Sequence, residues 1–433
     1  MVSGLVMMRE TFKHDIYVDA APKLLVDLLP LLGDIFGACM CGFCLYFYGR
    51  KKNLIYTTLL FLVPQLVFVS DLHPIIDFTG IVALYFANRF LIVTLSVYVA
   101  EVVEPRFRAP FFGVYFVGMA FGHMAGNFLP STSKLPIVGC FSLTITALVL
   151  AFLSPESPYY MALKRRREEA EDLFDMLRVG TGNLNESSAL FNKAEADRRV
   201  RRQGIISQVY RRTFIVPVSI VFFMLLANND MCYIVQPVLD ELLAEVGTPA
   251  ADADTGGSRF TLVFVLRNVL PVAGSAAFLG LTLKFGRRII FIVSIGLSLL
   301  IFPLLHLCKS MSSVPKVIYT LCYLFGYMGA KQMTRIVSSE LFPSSVRELG
   351  VASCDSIETL IFLLERMSLY GGTGTWYYYV ISNARWIFIP LGLTYTLFFL
   401  PETKDLPVVD AEILGGDLNV GPYFAKRPED DEY

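Results

Sequence analysis

The sequence predicts an all-α membrane protein of about eleven spanning helices, divided into two bundles. Three observations predict it. Apolar residues make up 55% of the chain and charged residues only 17%, a balance far from that of water-soluble domains. Apolar windows of about 20 residues, the length that crosses a bilayer as a helix, recur along the chain. A strongly basic stretch over 155–212 interrupts them near the middle.

The windows fall at 24–48, 54–71, 76–103, 109–130, 136–154, 213–244, 259–283, 288–308, 315–341, 348–370 and 377–400. Residues 1–22 hold neither a span-length apolar run nor the basic, apolar and small order of a signal peptide, so they are expected as an external segment. A first, incomplete bundle then covers 23–154, a linker 155–212, a six-helix bundle 213–400 and a polar tail 401–433. Within the linker, EEAEDLFDMLR at 168–178 puts Leu173, Phe174 and Leu177 on one helical face. Short surface helices are expected there, with most of the remainder a solvated, charged spacer.

Orientation follows from Lys and Arg, which accumulate on the cytoplasmic side during insertion. One set of loops holds Arg50, Lys51, Lys52, Arg106, Arg108, the linker, Lys284, Arg287, Arg288 and Arg347, whereas the opposite loops hold little beyond Lys134, Arg259, Lys309 and Lys316. The linker and the carboxyl-terminal tail are therefore expected in the cytoplasm. The net charge of -1 conceals this polarity.

Enzyme chemistry finds no foothold in the motifs. The chain has no G-x-x-x-x-G-K-[ST] phosphate loop and no H-E-x-x-H zinc pair, so no cofactor is expected. The expected partners are a small-molecule substrate and the lipid bilayer. The eight cysteines lie in or beside apolar windows, and CMCGFC at 39–44 has no His or carboxylate among its residues. Helix packing suits them better than a metal or a disulfide framework.

An ionisable group inside a span is costly unless it is paired or faces water, which makes it a candidate for function. Lys331 and Glu358 lie near mid-membrane on consecutive windows and are expected to pair with each other or with substrate; Asp230 and Arg267 form a second set nearer the outer face. Asp355, Glu358 and Thr359 recur at i, i+3 and i+4, so one face of their helix is acidic and polar. Asn228 and Asn229 complete the candidate substrate set. Asp34 and His123 are as compatible with packing as with function, and Arg335, one turn from Lys331, is expected to snorkel toward the cytoplasm.

Boundary motifs occur at matching places in the two halves. Gly49 to Lys51 read GRK and Gly286 to Arg288 read GRR; Glu101, Pro105 and Arg108 are matched by Glu340, Pro343 and Arg347; PESP at Pro155 is matched by PETK at Pro401. In this order they resemble the major facilitator superfamily over about residues 15–410. The resemblance implies two bundles that rock about a central site, driven by solute gradients rather than by ATP hydrolysis. It also implies a latch of Arg50, Glu101, Arg108, Glu156, Arg287, Arg288, Glu340 and Arg347, each pair contributing about 0.5–2 kcal/mol at a partly screened interface.

Two branches of that superfamily share these motifs. RRTFIV at 211–216, SELFPSSVRELGVASCDS at 339–356 and FLPETK at 399–404 resemble the organic cation/anion transporters, while VYVAEVVEPRFR at 97–108 and PESPYY at 155–160 resemble the sugar porters. MLLANND at 224–230 and GAKQMTR at 329–335 stand where sugar porters carry their polar ligands, without matching them. Glu358 adjoins the position, here Thr359, whose charge follows the substrate in the organic-ion branch. The expectation is a carrier of a small organic ion, a cation by preference; the alternatives are a sugar or polyol facilitator and a truncated, non-transporting member. Three departures from the pattern stand out: the family's first helix and the loop after it are expected to be absent, Tyr46 holds the usual Asp position, and Tyr159 stands where Arg is common.

Overall fold

The structure, a computed structural model, describes residues 23–70, 74–128, 135–177, 184–202, 204–245, 262–307, 329–370, 387 and 390–404. Helices fill the described residues and no strand occurs among them. The first half contributes α1 (Lys23–Tyr48), α2 (Arg50–Ser70), α3 (Pro74–Val102), α4 (Pro105–Phe128) and α5 (Leu135–Leu153). Four linker helices follow: α6 (Pro158–Leu163), α7 (Arg167–Leu177), α8 (Leu184–Arg201) and α9 (Ile205–Val209). The second half holds α10 (Arg212–Glu245), α11 (Leu262–Lys284), α12 (Arg287–Leu307), α13 (Lys331–Leu341) and α14 (Arg347–Tyr370), and then α15 (Pro390–Phe399).

Several of these helices begin before their apolar windows do. α2 starts at Arg50, four residues ahead of its window, and α12 and α14 also open on arginines. Hydropathy registers only the part of a helix that lipid surrounds, whereas helix formation needs satisfied backbone donors at the first turn. Prolines 30, 64, 110 and 271 lie inside helices, which membrane packing tolerates because neighbouring groups re-satisfy the freed backbone.

In the first bundle α3 packs on α1 and α2, and α5 on α2; in the second, α10 packs on α13 and α14. Among the described residues the bundles meet chiefly along α1 against α14 and α4 against α11, with α3 also touching α13 and α14. Gly42 shows why the first of these seams can close. A Cβ there would lie 2.7 Å from the Cβ of Ala352 on α14, so only a residue without a side chain admits so near an approach. A continuous core runs across the seams, from Ala38, Cys41 and Leu45 to Phe278, Phe291 and Val351. The outer faces expose Phe36, Phe43, Val63, Phe121, Leu150 and Phe398, an apolar cover that suits lipid rather than water.

The linker is more than a charged spacer. Tyr159, Met161 and Ala162 of α6 pack with Ala170 of α7 and Ala194 of α8 into a small separate core, with Leu173, Leu190 and Phe191 at its edge. Phe174 is buried as its amphipathic spacing predicts. Ser157 caps α6 by accepting the Tyr160 N–H at 3.2 Å, and Pro158 occupies the first helical position.

Candidate functional site: two layers of ion pairs between the bundles

At the linker side, the chain turns from α1 into α2 at Gly49, whose φ of 97° lies in the left-handed region that L side chains avoid. The turn aims the first N–H groups of α2 at a carboxylate. Glu156 Oε1 accepts the backbone N–H of Arg50 and of Lys51, each at 3.0 Å, a favourable place for a negative charge. The second half repeats the arrangement, with Glu402 accepting the N–H of Arg287 at 2.8 Å and of Arg288 at 3.3 Å. Gly49→Ala is expected to cost about 1–3 kcal/mol, because the new Cβ would lie 2.5 Å from the Tyr160 ring and 3.0 Å from Glu156 Oε2. A lowered Tm of the purified protein checks it.

The Arg50 guanidinium forks onto Glu101, Nε donating to Oε2 at 2.7 Å and Nη2 to Oε1 at 2.5 Å. Nη2 also crosses to the second bundle, where it meets Glu348 Oε1 at 2.6 Å. Arg201, at the end of α8, donates to that same oxygen at 2.7 Å and to Ser344 O at 3.3 Å. Ser157 adds a hydroxyl to Glu101 at 2.6 Å, and Arg347 Nη1 stands 3.8 Å from Glu101. First bundle, linker and second bundle therefore share one buried set of charges, and the linker side is shut. In the matching place of the second half, Glu340 sits 3.5 Å from Arg287 Nη2 and accepts the Thr403 hydroxyl, and Arg287 reaches back to Pro105 O at 3.3 Å.

Both tyrosine departures find a physical reason here. The Arg201 guanidinium lies 4.5 Å from the centre of the Tyr46 ring, so an aromatic face holds the cation at a position where the family pattern has a carboxylate. Tyr159 donates its hydroxyl to Asp197 Oδ2 at 2.7 Å, and the Ser344 hydroxyl reaches the same oxygen at 2.8 Å. Burial and the neighbouring Asp197 carboxylate push the Tyr159 phenol well above its usual range, keeping it a donor. Burial alone would lower the Arg201 guanidinium, but Glu348 outweighs it and raises it.

Deeper in the helices lies a second layer. Arg89 on α3 is only 8% exposed and stands about 18 Å from Glu101 along the helix axis. Its Nε donates to Asp34 Oδ2 on α1 at 3.0 Å, with Nη2 at 2.9 Å from the same atom. Its Nη1 crosses the seam to α14, to Asp355 Oδ1 at 3.0 Å and Glu358 Oε2 at 2.7 Å. Arg335 on α13 reaches Glu358 Oε2 at 3.2 Å, and Thr359 donates to Asp34 at 3.3 Å. Lys331 adds its positive field to Glu358.

The acidic face of Asp355, Glu358 and Thr359 thus converges as its spacing predicts, but two expectations need correction. Glu358 is held by Arg89 and Arg335, not by a lone pairing with Lys331. Arg335 does not snorkel outward; Glu358, nearer mid-depth, gives it a partner that outweighs hydration at the boundary. Arg89 went unflagged although it carries the same signal as Lys331: an ionisable group well inside an apolar window. Arg201, Asp197 and Glu348 lack any such signal, because linker charges resemble solvated ones.

The other latch candidates divide. Arg50, Glu101, Glu156 and Arg347 come together in one cluster, and Arg287 and Glu340 in the other. Arg288 Nη2 instead meets Leu397 O at 2.6 Å near the end of α15, and Arg108 Nε meets Val103 O at 3.2 Å. Asn228 is buried on α10, its Oδ1 without a hydrogen bond among the described residues. Asn229, Asp230, Arg267 and His123 lie on helices, and their side chains fall outside the described residues. Parts of the expected windows, 315–328 and 377–386, fall outside them too, as do residues 1–22 and the tail beyond 404.

With this geometry in view, the likenesses to known proteins are informative. A family model described as "Sugar (and other) transporter" matches residues 7–413, and the chain belongs to that family, whose members are multi-pass membrane transporters and not enzymes. The facilitated trehalose transporter Tret1 of Drosophila erecta is 24% identical over 424 residues, which cover 89% of this chain and 46% of the relative. The chain therefore spans about half the length of the curated relatives it matches. The fold superposes on the proton:xylose symporter XylE bound to 6-bromo-6-deoxy-D-glucose with a TM-score of 0.73, at 16% identity and 95% coverage of both chains. On the inward-open XylE from E. coli, at the same identity and coverage, the TM-score is 0.58.

The helical major facilitator fold is thereby shown. The family match and the Tret1 relatives support the sugar-porter side of the resemblance rather than the organic-ion side. The acidic face on α14 that suggested a cation already holds one of the protein's own, Arg89.

Proposed function

We propose that the chain carries an uncharged sugar or polyol through the membrane by alternating access, running down the solute's own gradient. One observation carries the reading. Among the described residues at mid-depth, Asp34, Asp355 and Glu358 supply three negative charges and Arg89, Arg335 and Lys331 three positive ones. A site balanced in this way holds no counter-charge for an ionic substrate, and a neutral solute needs none.

Uncharged hydrogen-bonding groups are available nearby in the sequence of the second bundle. Gln332 Nε2 donates to Ser275 Oγ at 2.9 Å, while Gln332 Oε1 and Asn228 Oδ1, both buried, accept no bond among the described residues. Such acceptors suit sugar hydroxyls, since leaving a buried polar atom unmet costs about 1–3 kcal/mol. The facilitated trehalose transport for which the Tret1 relatives are named supports the same class. Asp355, Glu358, Thr359, Asn228 and Lys331 are then groups that shape or line the path, with Asp230, Asn229 and Arg267 as further candidates. The Lys and Arg bias supports a cytoplasmic linker and carboxyl-terminal tail, and the membrane proposed for the carrier is the plasma membrane.

The test is counterflow in proteoliposomes containing the full chain, with labelled trehalose, glucose and a small organic cation offered separately. Saturable sugar exchange without cation exchange is the expected result. Cation exchange without sugar exchange overturns the substrate class, and flux of neither overturns transport by this chain.

A further inference from the structure

We infer that Arg89 is a positioning residue, a mid-depth tie between the two bundles that is made while the linker side is shut and parts when that side opens. The division of its nitrogens carries the argument. Nε and Nη2 hold Asp34 within the first bundle, and both contacts to the second bundle, to Asp355 and Glu358, come from Nη1 alone. Separating the bundles breaks the bonds of one nitrogen and leaves the guanidinium still paired with Asp34.

Charge balance makes the separation feasible. In the first bundle Asp34 and Arg89 cancel; in the second, Asp355 and Glu358 are offset by Arg335 and Lys331. Neither bundle is left with net charge in a low-dielectric layer, where a lone ion would cost several kcal/mol. Arg335 already touches Glu358 at 3.2 Å and remains on its own bundle when Arg89 leaves. Thr359 adds one weaker crossing bond, to Asp34 at 3.3 Å. A permanent structural pair needs none of this duplication; a tie that parts and re-forms does.

Hydrogen–deuterium exchange on the full chain in lipid nanodiscs tests the tie without any substrate, so its outcome is separate from that of the flux assay. Arg89→Gln keeps a polar side chain but removes the crossing charge. Exchange in residues 194–202 and 341–350, which meet at the shut linker side, is expected to rise about tenfold, the effect of losing about one charge-assisted hydrogen bond from the closed state. Exchange in residues 138–146 of α5, which supply no group to either layer, should stay unchanged. Arg89→Lys keeps the charge but cannot fork to both sides, so its rise should be smaller. Unchanged exchange at the linker side in Arg89→Gln overturns the inference, as does an equal rise in α5 and at the linker side. Should Arg89→Gln fail to fold, Arg89→Lys is read alone, and unchanged linker-side exchange in it overturns the inference equally.

Discussion

Arg50→Gln is expected to destabilise the protein by about 3–5 kcal/mol, the cost of removing one partner from a buried charge set. Arg50 is fully buried and serves two carboxylates on different bundles. Without it Glu101 keeps the Ser157 hydroxyl and the more distant Arg347, and Glu348 keeps Arg201. Two carboxylates then share a dry pocket with too few donors. Arg50→Lys should fail nearly as badly, since an ammonium cannot reproduce the fork onto Glu101 and the bond to Glu348 together. Lys51→Gln, one residue on, alters a half-exposed side chain while its backbone still meets Glu156, and should change stability by less than about 0.5 kcal/mol. Thermal unfolding of the three variants in detergent, with sugar flux measured on the same preparations, separates these outcomes; equal Tm values for Arg50→Gln and Lys51→Gln would rule out a central role for the fork.

The helices and the division into halves were legible because lipid enforces them: a span must be long, apolar and internally hydrogen-bonded. The repeated Gly-Arg and Pro-Glu motifs were legible as well, and the structure shows their physical content, a carboxylate receiving the first N–H groups of the next helix in each half. What the sequence obscured was pairing. Glu348 adjoins Arg347 in sequence, yet its partners Arg50 and Arg201 lie 298 and 147 residues away. No periodicity encodes such distances. Arg335 misled for a related reason, because its preferred direction depends on Glu358 of another helix. The acidic helix face shows the same difficulty: read alone it suggests a cationic cargo, and the arginine that neutralises it stands across the seam, on α3.

That neutralisation makes a quantitative prediction about Glu358 and Arg335. Glu358→Gln leaves Arg89 and Arg335 with fewer acceptors and the layer with an excess positive charge; Arg335→Gln leaves Glu358 to Arg89 and an excess negative charge. Each single change is expected to lower stability by about 3–5 kcal/mol. The double variant restores balance, so its loss should fall short of the sum by about 1–3 kcal/mol, the coupling typical of groups in one network. Flux should follow the same order, with the double variant retaining more sugar exchange than Glu358→Gln alone. If Glu358 instead served a cationic substrate directly, cancelling the Arg335 charge would not rescue flux, and the two effects on transport would add. A thermodynamic cycle measured beside a flux cycle therefore distinguishes a carboxylate that balances the protein's own arginines from one that binds cargo.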